Sequence, residues 1–145
     1  MIEIKTTVNY PMDKVWEGFD QQLFEALSLP FPPVQVVRFD GCQEGDIVEL
    51  ELNFLLFKQR WQSIIIAQAS TAEEIYFIDK GAKLPFFLSY WQHKHKLVKI
   101  APQQTIVVDE INFKTPFILT NYLLYPLIWL QFAYRKPIYK KFFSE

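Results

Sequence analysis

Apolar and polar residues change places one for one along much of this chain, and a period of two restricts those stretches to strands of a sheet with one dry face. Met1 to Asn9 sets the pattern, with Ile2, Ile4, Thr6 and Val8 on one side and Glu3, Lys5, Thr7 and Asn9 on the other. Val48, Leu50, Leu52 and Phe54 alternate with Glu49, Glu51 and Asn53, and Gln59, Trp61, Ser63 and Ile65 alternate with Lys58, Arg60 and Gln62. Glu74 to Lys80, Phe86 to Ile100 and Gln104 to Lys114 continue the series. Turn residues separate the runs, so the spacing predicts an antiparallel meander of about six strands after the first.

The remaining segments read as helices. Pro11 stops the first strand, and Met12, Val15, Trp16 and Phe19 then repeat at helical spacing with Asp13 at the positive end. Asp20 is placed to cap a second short helix carrying Leu23, Phe24 and Leu27. Leu29-Pro30-Phe31-Pro32-Pro33 excludes regular helix and predicts an extended connection. Thr115 is expected to cap a long helix with Pro116 at its first position, covering Phe117 to Phe143, kinked at Pro126 and kinked or ended at Pro137. A dry sheet face must be covered, and this is the element long enough to cover it. No linker or repeat divides the sequence, which reads as a single domain over residues 1–145.

Composition narrows the function classes. Fifteen Lys and Arg against sixteen Asp and Glu give no basic surface for nucleic acid. The lone cysteine, Cys42, excludes an internal disulfide and a multi-thiolate metal cluster. It lies in a turn with no basic neighbour and reads as inert. Met1 to Lys5 lacks the features of a secretory signal, so a cytoplasmic location is expected. The 20 uncharged residues Thr115 to Tyr134 approach a membrane span, but inserting them would leave the sheet's dry face bare. Tyr122, Tyr125 and Trp129, with Arg135, Lys140 and Lys141 downstream, also suit docking on a membrane surface.

Chemistry concentrates in Tyr90-Trp91-Gln92-His93-Lys94-His95-Lys96-Leu97. Gln92, Lys94 and Lys96 belong to the wet face, so Trp91, His93, His95 and Leu97 turn inward. In the next run Asp109 and Phe113 share the dry side with Val107 and Ile111. A three-residue loop Ala101-Pro102-Gln103 sets His95 opposite Asp109 and Trp91 opposite Phe113, whereas a five-residue loop moves the partner of His95 to Ile111. His95 and Asp109 can satisfy each other as buried polar groups, orient the polar head of an apolar ligand, or act as an acid–base pair. His-x-His on a strand is also metal-ligand spacing with Asp109 as a third ligand, but the chain has no third histidine and no metal is expected. Trp61 faces inward beside Ser63, and Asp79, before Lys80-Gly81, is expected to end a strand in a turn.

These residues resemble the START-like, or SRPBCC, superfamily, the α+β helix-grip fold of plant pollen allergens, polyketide cyclases and coenzyme Q-binding proteins. The resemblance lies in Tyr10-Pro11-Met12-Asp13-Lys14-Val15-Trp16, in Arg38-Phe39-Asp40-Gly41 followed by Glu44-Gly45-Asp46, and in Pro85-Phe86 leading to Trp91 and His93-x-His95. It continues through Asp109-Glu110-Ile111, Pro116 and Phe132-x-Tyr134-Arg135, over nearly the whole chain. It implies a curved antiparallel sheet of about seven strands wrapped around the C-terminal helix, with two short helices after the first strand. An apolar cavity between sheet and helix would bind a hydrophobic small molecule such as a lipid, quinone or polyketide. The excess of aromatic residues, 25 in all, would then make sense as a lining of that cavity.

The ligand positions so implied are Trp61, Trp91, His93, His95, Asp109 and Phe113, with Tyr122 and Trp129 under the helix. The superfamily shares no catalytic constellation, so no catalytic residue, cofactor or metal is carried over. Two alternatives stand beside the binding module. One is a cofactor-independent cyclase or dehydratase using His95 with Asp109. The other is an adaptor whose tyrosine-rich helix contacts a membrane or a second copy, forming a homodimer, around a vestigial cavity.

Overall fold

Seven antiparallel strands form one curled sheet in the computed structural model, which describes residues 1–28 and 32–144. They are β1 (Ile2–Val8), β2 (Val34–Phe39), β3 (Ile47–Asn53), β4 (Lys58–Ser70), β5 (Glu74–Lys83), β6 (Tyr90–Ala101) and β7 (Gln104–Lys114). The spatial order β1-β7-β6-β5-β4-β3-β2 is the predicted meander, with β1 added beside the last strand. Strict alternation of burial along β1 shows one dry face. The two short helices are α1 (Met12–Glu17) and α2 (Gln21–Ala26), and the side chain of Asp20 accepts from the Leu23 amide at 2.9 Å as a cap should. Of the extended connection expected at Leu29 to Pro33, residues 29–31 lie outside the described residues.

The C-terminal element is the long helical cover expected, interrupted close to Pro137. It divides into α3 (Ile118–Ala133) and α4 (Arg135–Phe142). Pro137 is the cause, because its ring conflicts with the carbonyl four residues earlier, that of Ala133, where α3 ends. Pro126 lies inside α3. Thr115 does not cap the helix. Phe117 occupies the cap position, while Thr115 binds the Asn121 side chain through both its amide and its hydroxyl, tying strand end to helix start.

The interior has three layers along the strands. One apolar cluster gathers Val8, Phe19, Leu23, Phe77, Leu97, Val107 and Tyr139 among others. A second gathers Ile2, Ile4, Trp91, Ile111, Ile128 and Phe132. Between them lies a polar layer of Thr6, Asp79, His93, His95, Asp109 and Arg135, one or two residues from each of β1, β5, β6, β7 and α4. On β6 the order is plain in sequence: Trp91 belongs to one cluster, Leu97 to the other, and the histidines stand between. Cys42 is buried and points its thiol at the Phe19 carbonyl, 3.6 Å away. Burial, with the charge of Asp46 nearby, pushes that thiol up to about 12, which keeps it protonated at neutral pH.

Candidate functional site

The β6–β7 register places His95 opposite Asp109 and Trp91 opposite Phe113, as the shorter of the two loops required. The loop itself is tighter, because a bulge between Lys99 and Ala101 absorbs one residue. On the other side β5 sets Asp79 opposite His93 and Phe77 opposite His95. Asp79 therefore does not end a strand. It lies within β5 and shares the inward parity of Ile75 and Phe77.

The polar side chains do not bond straight across but along opposite diagonals. His93 Nε2 donates to Asp109 Oδ1 at 2.8 Å, and His95 Nε2 donates to Asp79 Oδ2 at 2.7 Å. Each second nitrogen faces the other carboxylate at longer range: His93 Nδ1 is 3.7 Å from Asp79 Oδ2 and His95 Nδ1 is 3.8 Å from Asp109 Oδ1. The result is a closed ring of two imidazoles and two carboxylates. The imidazoles overlap with centroids 3.5 Å apart, and His95 also stacks on Phe77 at 4.2 Å. Trp91 Nε1 donates to Asp79 Oδ1 at 3.2 Å, and Arg135 reaches from the start of α4 to within 3.7 Å of Asp109.

Burial alone would push the Asp79 carboxyl up, but the bond from His95 and the charge of His93 outweigh it and hold the group below the usual carboxylate range. Asp109 is held low in the same way, burial being offset by His93 and then by Arg135. His95 moves the opposite way to an ordinary ion-paired histidine: burial, reinforced by His93, pushes it down to about 4 despite Asp79. It is neutral at neutral pH. Buried polar atoms without hydrogen-bond partners include His95 Nδ1, Asp109 Oδ2, and Nε and Nη1 of Arg135. Groups in that condition accept a ligand or ion readily, because their desolvation has already been incurred on folding.

A half-enclosed cavity of about 120 Å³ opens on this layer. Asp79, His93, His95 and Arg135 meet it beside Trp61, Trp91 and Phe132. Trp61 Nε1 donates to Ser63 Oγ at 3.2 Å and its ring stands edge-on to Trp91 at 4.8 Å. The volume is below the roughly 300–1,000 Å³ of pockets for drug-sized ligands and close to the ~150 Å³ known to hold a benzene ring.

Five of the eight expected ligand positions, Trp61, Trp91, His93, His95 and Asp109, come together here. Phe113 packs beside Tyr125 instead and does not line the cavity. Tyr122 and Trp129 are 74% and 45% exposed on the outer side of α3, whose buried residues are Ile128 and Phe132. The inward face follows from that four-residue spacing, which an almost uniformly apolar helix conceals. Two residues of the polar layer lie outside the expected set. Asp79 was legible by parity with Ile75 and Phe77. Arg135, expected among the docking cations, falls at helical spacing from the buried Phe132 and Tyr139, and its side chain is 11% exposed.

No family model and no curated protein matches this sequence. Solved structures do match in shape. The aromatase/cyclase Zhui from Streptomyces sp. R1128 superposes over 97% of this chain and 90% of its own, with TM-score 0.65 and 15% identity. This chain has the helix-grip fold. Norcoclaurine synthase from Thalictrum flavum, in complex with dopamine and hydroxybenzaldehyde, matches over 97% of this chain and 83% of its own, with TM-score 0.65 and 13% identity. Ara h 8.0201 matches over 95% of both chains, with TM-score 0.58 and 15% identity.

Proposed function

We propose that the cavity binds a compact, ring-sized apolar molecule with one polar end, such as the ring of a quinone or polyketide, in the cytoplasm. One observation carries the reading. An aromatic-walled cavity ends on buried polar groups that lack partners, among them Arg135 Nε and Nη1 and His95 Nδ1. Structural neighbours that act on or hold aromatic molecules support the ring as the apolar body. Proton transfer in a cyclase-like reaction would use the same residues, with Asp79 orienting a neutral His95.

Burying about 200 Å² of ligand at roughly 25 cal/mol per Å² gives about 5 kcal/mol, a dissociation constant near ~0.2 mM before polar contacts add to it. Trp61 and Trp91 are built-in reporters. Titration with single-ring phenols and quinones is expected to give a saturable change in their fluorescence, while long-chain fatty acids give none. No saturable response to any ring compound, together with no co-purifying small molecule in native mass spectrometry, would refute the reading.

The outer side of α3 supports a second contact, with an anionic membrane surface. Leu119, Leu123, Leu127 and Leu130 form one exposed stripe, and Tyr122, Tyr125 and Trp129 form another beside it. At 100° per residue the two span roughly 200° of the helix, more than one flat protein face covers. A leucine stripe edged by Tyr and Trp is the pattern of a helix lying in the headgroup region. Residues 111–144 contain no Asp or Glu and carry Lys114, Lys136, Lys140 and Lys141 besides the inward Arg135. Among the described residues no helix is long and apolar enough to cross a membrane, so the contact would be peripheral. Sedimentation with phosphatidylserine vesicles is expected, weakened about tenfold or more by each of Leu123→Ser and Leu127→Ser. A concentration-dependent dimer without vesicle binding would show that a second copy covers this helix instead.

A further inference from the structure

The ring of carboxylates and imidazoles has an asymmetry beyond ligand binding. Three donor atoms converge on one side of it: Asp79 Oδ2, His93 Nδ1 and His95 Nε2, at 3.7 Å between the first two and 2.7 Å between the first and last. One ligand atom from each residue lies within 4.8 Å of the others. In a tetrahedral site with metal–ligand bonds near 2.0–2.1 Å, neighbouring donors stand about 3.3 Å apart. The two measured separations bracket that value.

We propose that Asp79, His93 and His95 bind one divalent transition-metal ion, of the zinc class. Two nitrogen donors and one oxygen suit such an ion and disfavour magnesium and calcium, which take oxygen donors. With the ion held at Nδ1 of His93 and Nε2 of His95, the opposite nitrogen of each ring carries its proton. Both of those N–H groups face Asp109 Oδ1, at 2.8 Å from His93 and 3.8 Å from His95. That gives His95 Nδ1, a buried atom without a hydrogen-bond partner, a carboxylate to face as a donor. Asp109 becomes the outer carboxylate that orients metal-bound histidines. Trp91 donates to Asp79 Oδ1 and leaves Oδ2 for the ion.

Charge favours the same conclusion. The layer holds two carboxylates, Asp79 and Asp109, against one guanidinium, that of Arg135, which lies 3.7 Å from Asp109, so a bound cation offsets the second carboxylate. All three ligands also line the cavity, which leaves further coordination positions open on that side. The sequence offered no third histidine, and Asp79 supplies the missing ligand by lying within β5. The assignment does not depend on the cavity taking an organic molecule.

The full chain, stripped with a chelator and titrated calorimetrically with Zn²⁺, is expected to bind one ion. Co²⁺ in its place is expected to show the intense visible bands of low-coordinate cobalt. His95→Gln should weaken Zn²⁺ binding at least about a hundredfold, and Asp109→Asn about 10–100-fold with stoichiometry kept. His93→Gln serves where a variant fails to fold, as judged by near-ultraviolet circular dichroism. The proposal is overturned if wild-type protein takes up no stoichiometric Zn²⁺ and leaves the cobalt spectrum that of the aquo ion. Undiminished binding in the folded His93→Gln, His95→Gln double variant would overturn it equally, by placing the ion elsewhere.

Discussion

Asp109→Ala is expected to lower the free energy of unfolding by about 3–5 kcal/mol, the usual result of removing one side of a buried ion pair. Asp109 is 1% exposed, accepts from His93 at 2.8 Å, and lies 3.7 Å from Arg135. Its loss leaves Arg135, two of whose nitrogens already lack partners, as an uncompensated buried cation. Asp109→Asn keeps the volume and one acceptor, so it should recover part of the loss while leaving the charge unbalanced. Urea denaturation followed by circular dichroism measures both. A loss below about 1 kcal/mol in the alanine variant would mean that water enters the layer and solvates Arg135.

Acid should destabilise the protein well above the range in which carboxylates titrate. His95 has its folded value pushed down to about 4, against 6.5 for a free imidazole. Between those values the unfolded chain binds a proton that the folded chain refuses, so stability falls as pH drops through the window. A shift of that size corresponds to about 3 kcal/mol, fully lost near pH 4. Asp79 and Asp109, held low when folded, contribute stability that is present above their ordinary range and lost as pH falls through their lowered values. Both effects have the same sign, and the histidine acts first. Melting temperatures measured with chelator present should decline steadily from pH 6.5 to 4, and His95→Gln should flatten the decline in that interval. A wild-type profile that is level there would rule out the neutral buried imidazole.

The strands, their order of appearance and the inward pair of histidines were legible because alternation is a local signal, repeated in every run. The same parity applied to Ile75 and Phe77 points to Asp79, but the adjacent Lys80-Gly81 reads locally as a turn. The strand continues through it because β4 and β6 pair with Lys80 on both sides. The diagonal bonding was not legible. Cross-strand register fixes which side chains are near, while the choice of His93 rather than His95 for Asp109 depends on rotamers and on Trp91 and Arg135 competing for the carboxylates. The inward face of α3 was hidden for a different reason. Period analysis needs contrast between two faces, and Phe117 to Phe132 offers almost none. The break between α3 and α4 could be expected at Pro137, yet the residue it turns inward, Arg135, shows only when the chain is seen to restart there.

The opposed slant of the two carboxylate–imidazole bonds acts as a key against strand slippage. Sliding β6 by two residues keeps every side chain on its own face, so the apolar pattern by itself tolerates the error. Moved one way, His95 replaces His93 at Asp109 and Leu97 arrives at Asp79; moved the other way, His93 serves Asp79 and Trp91 arrives at Asp109. The first misalignment strands Asp79 against a leucine, at a penalty of several kcal/mol, and the second exchanges the imidazole at Asp109 for the indole of Trp91. Strand β6 therefore has one alignment that satisfies both of its neighbours.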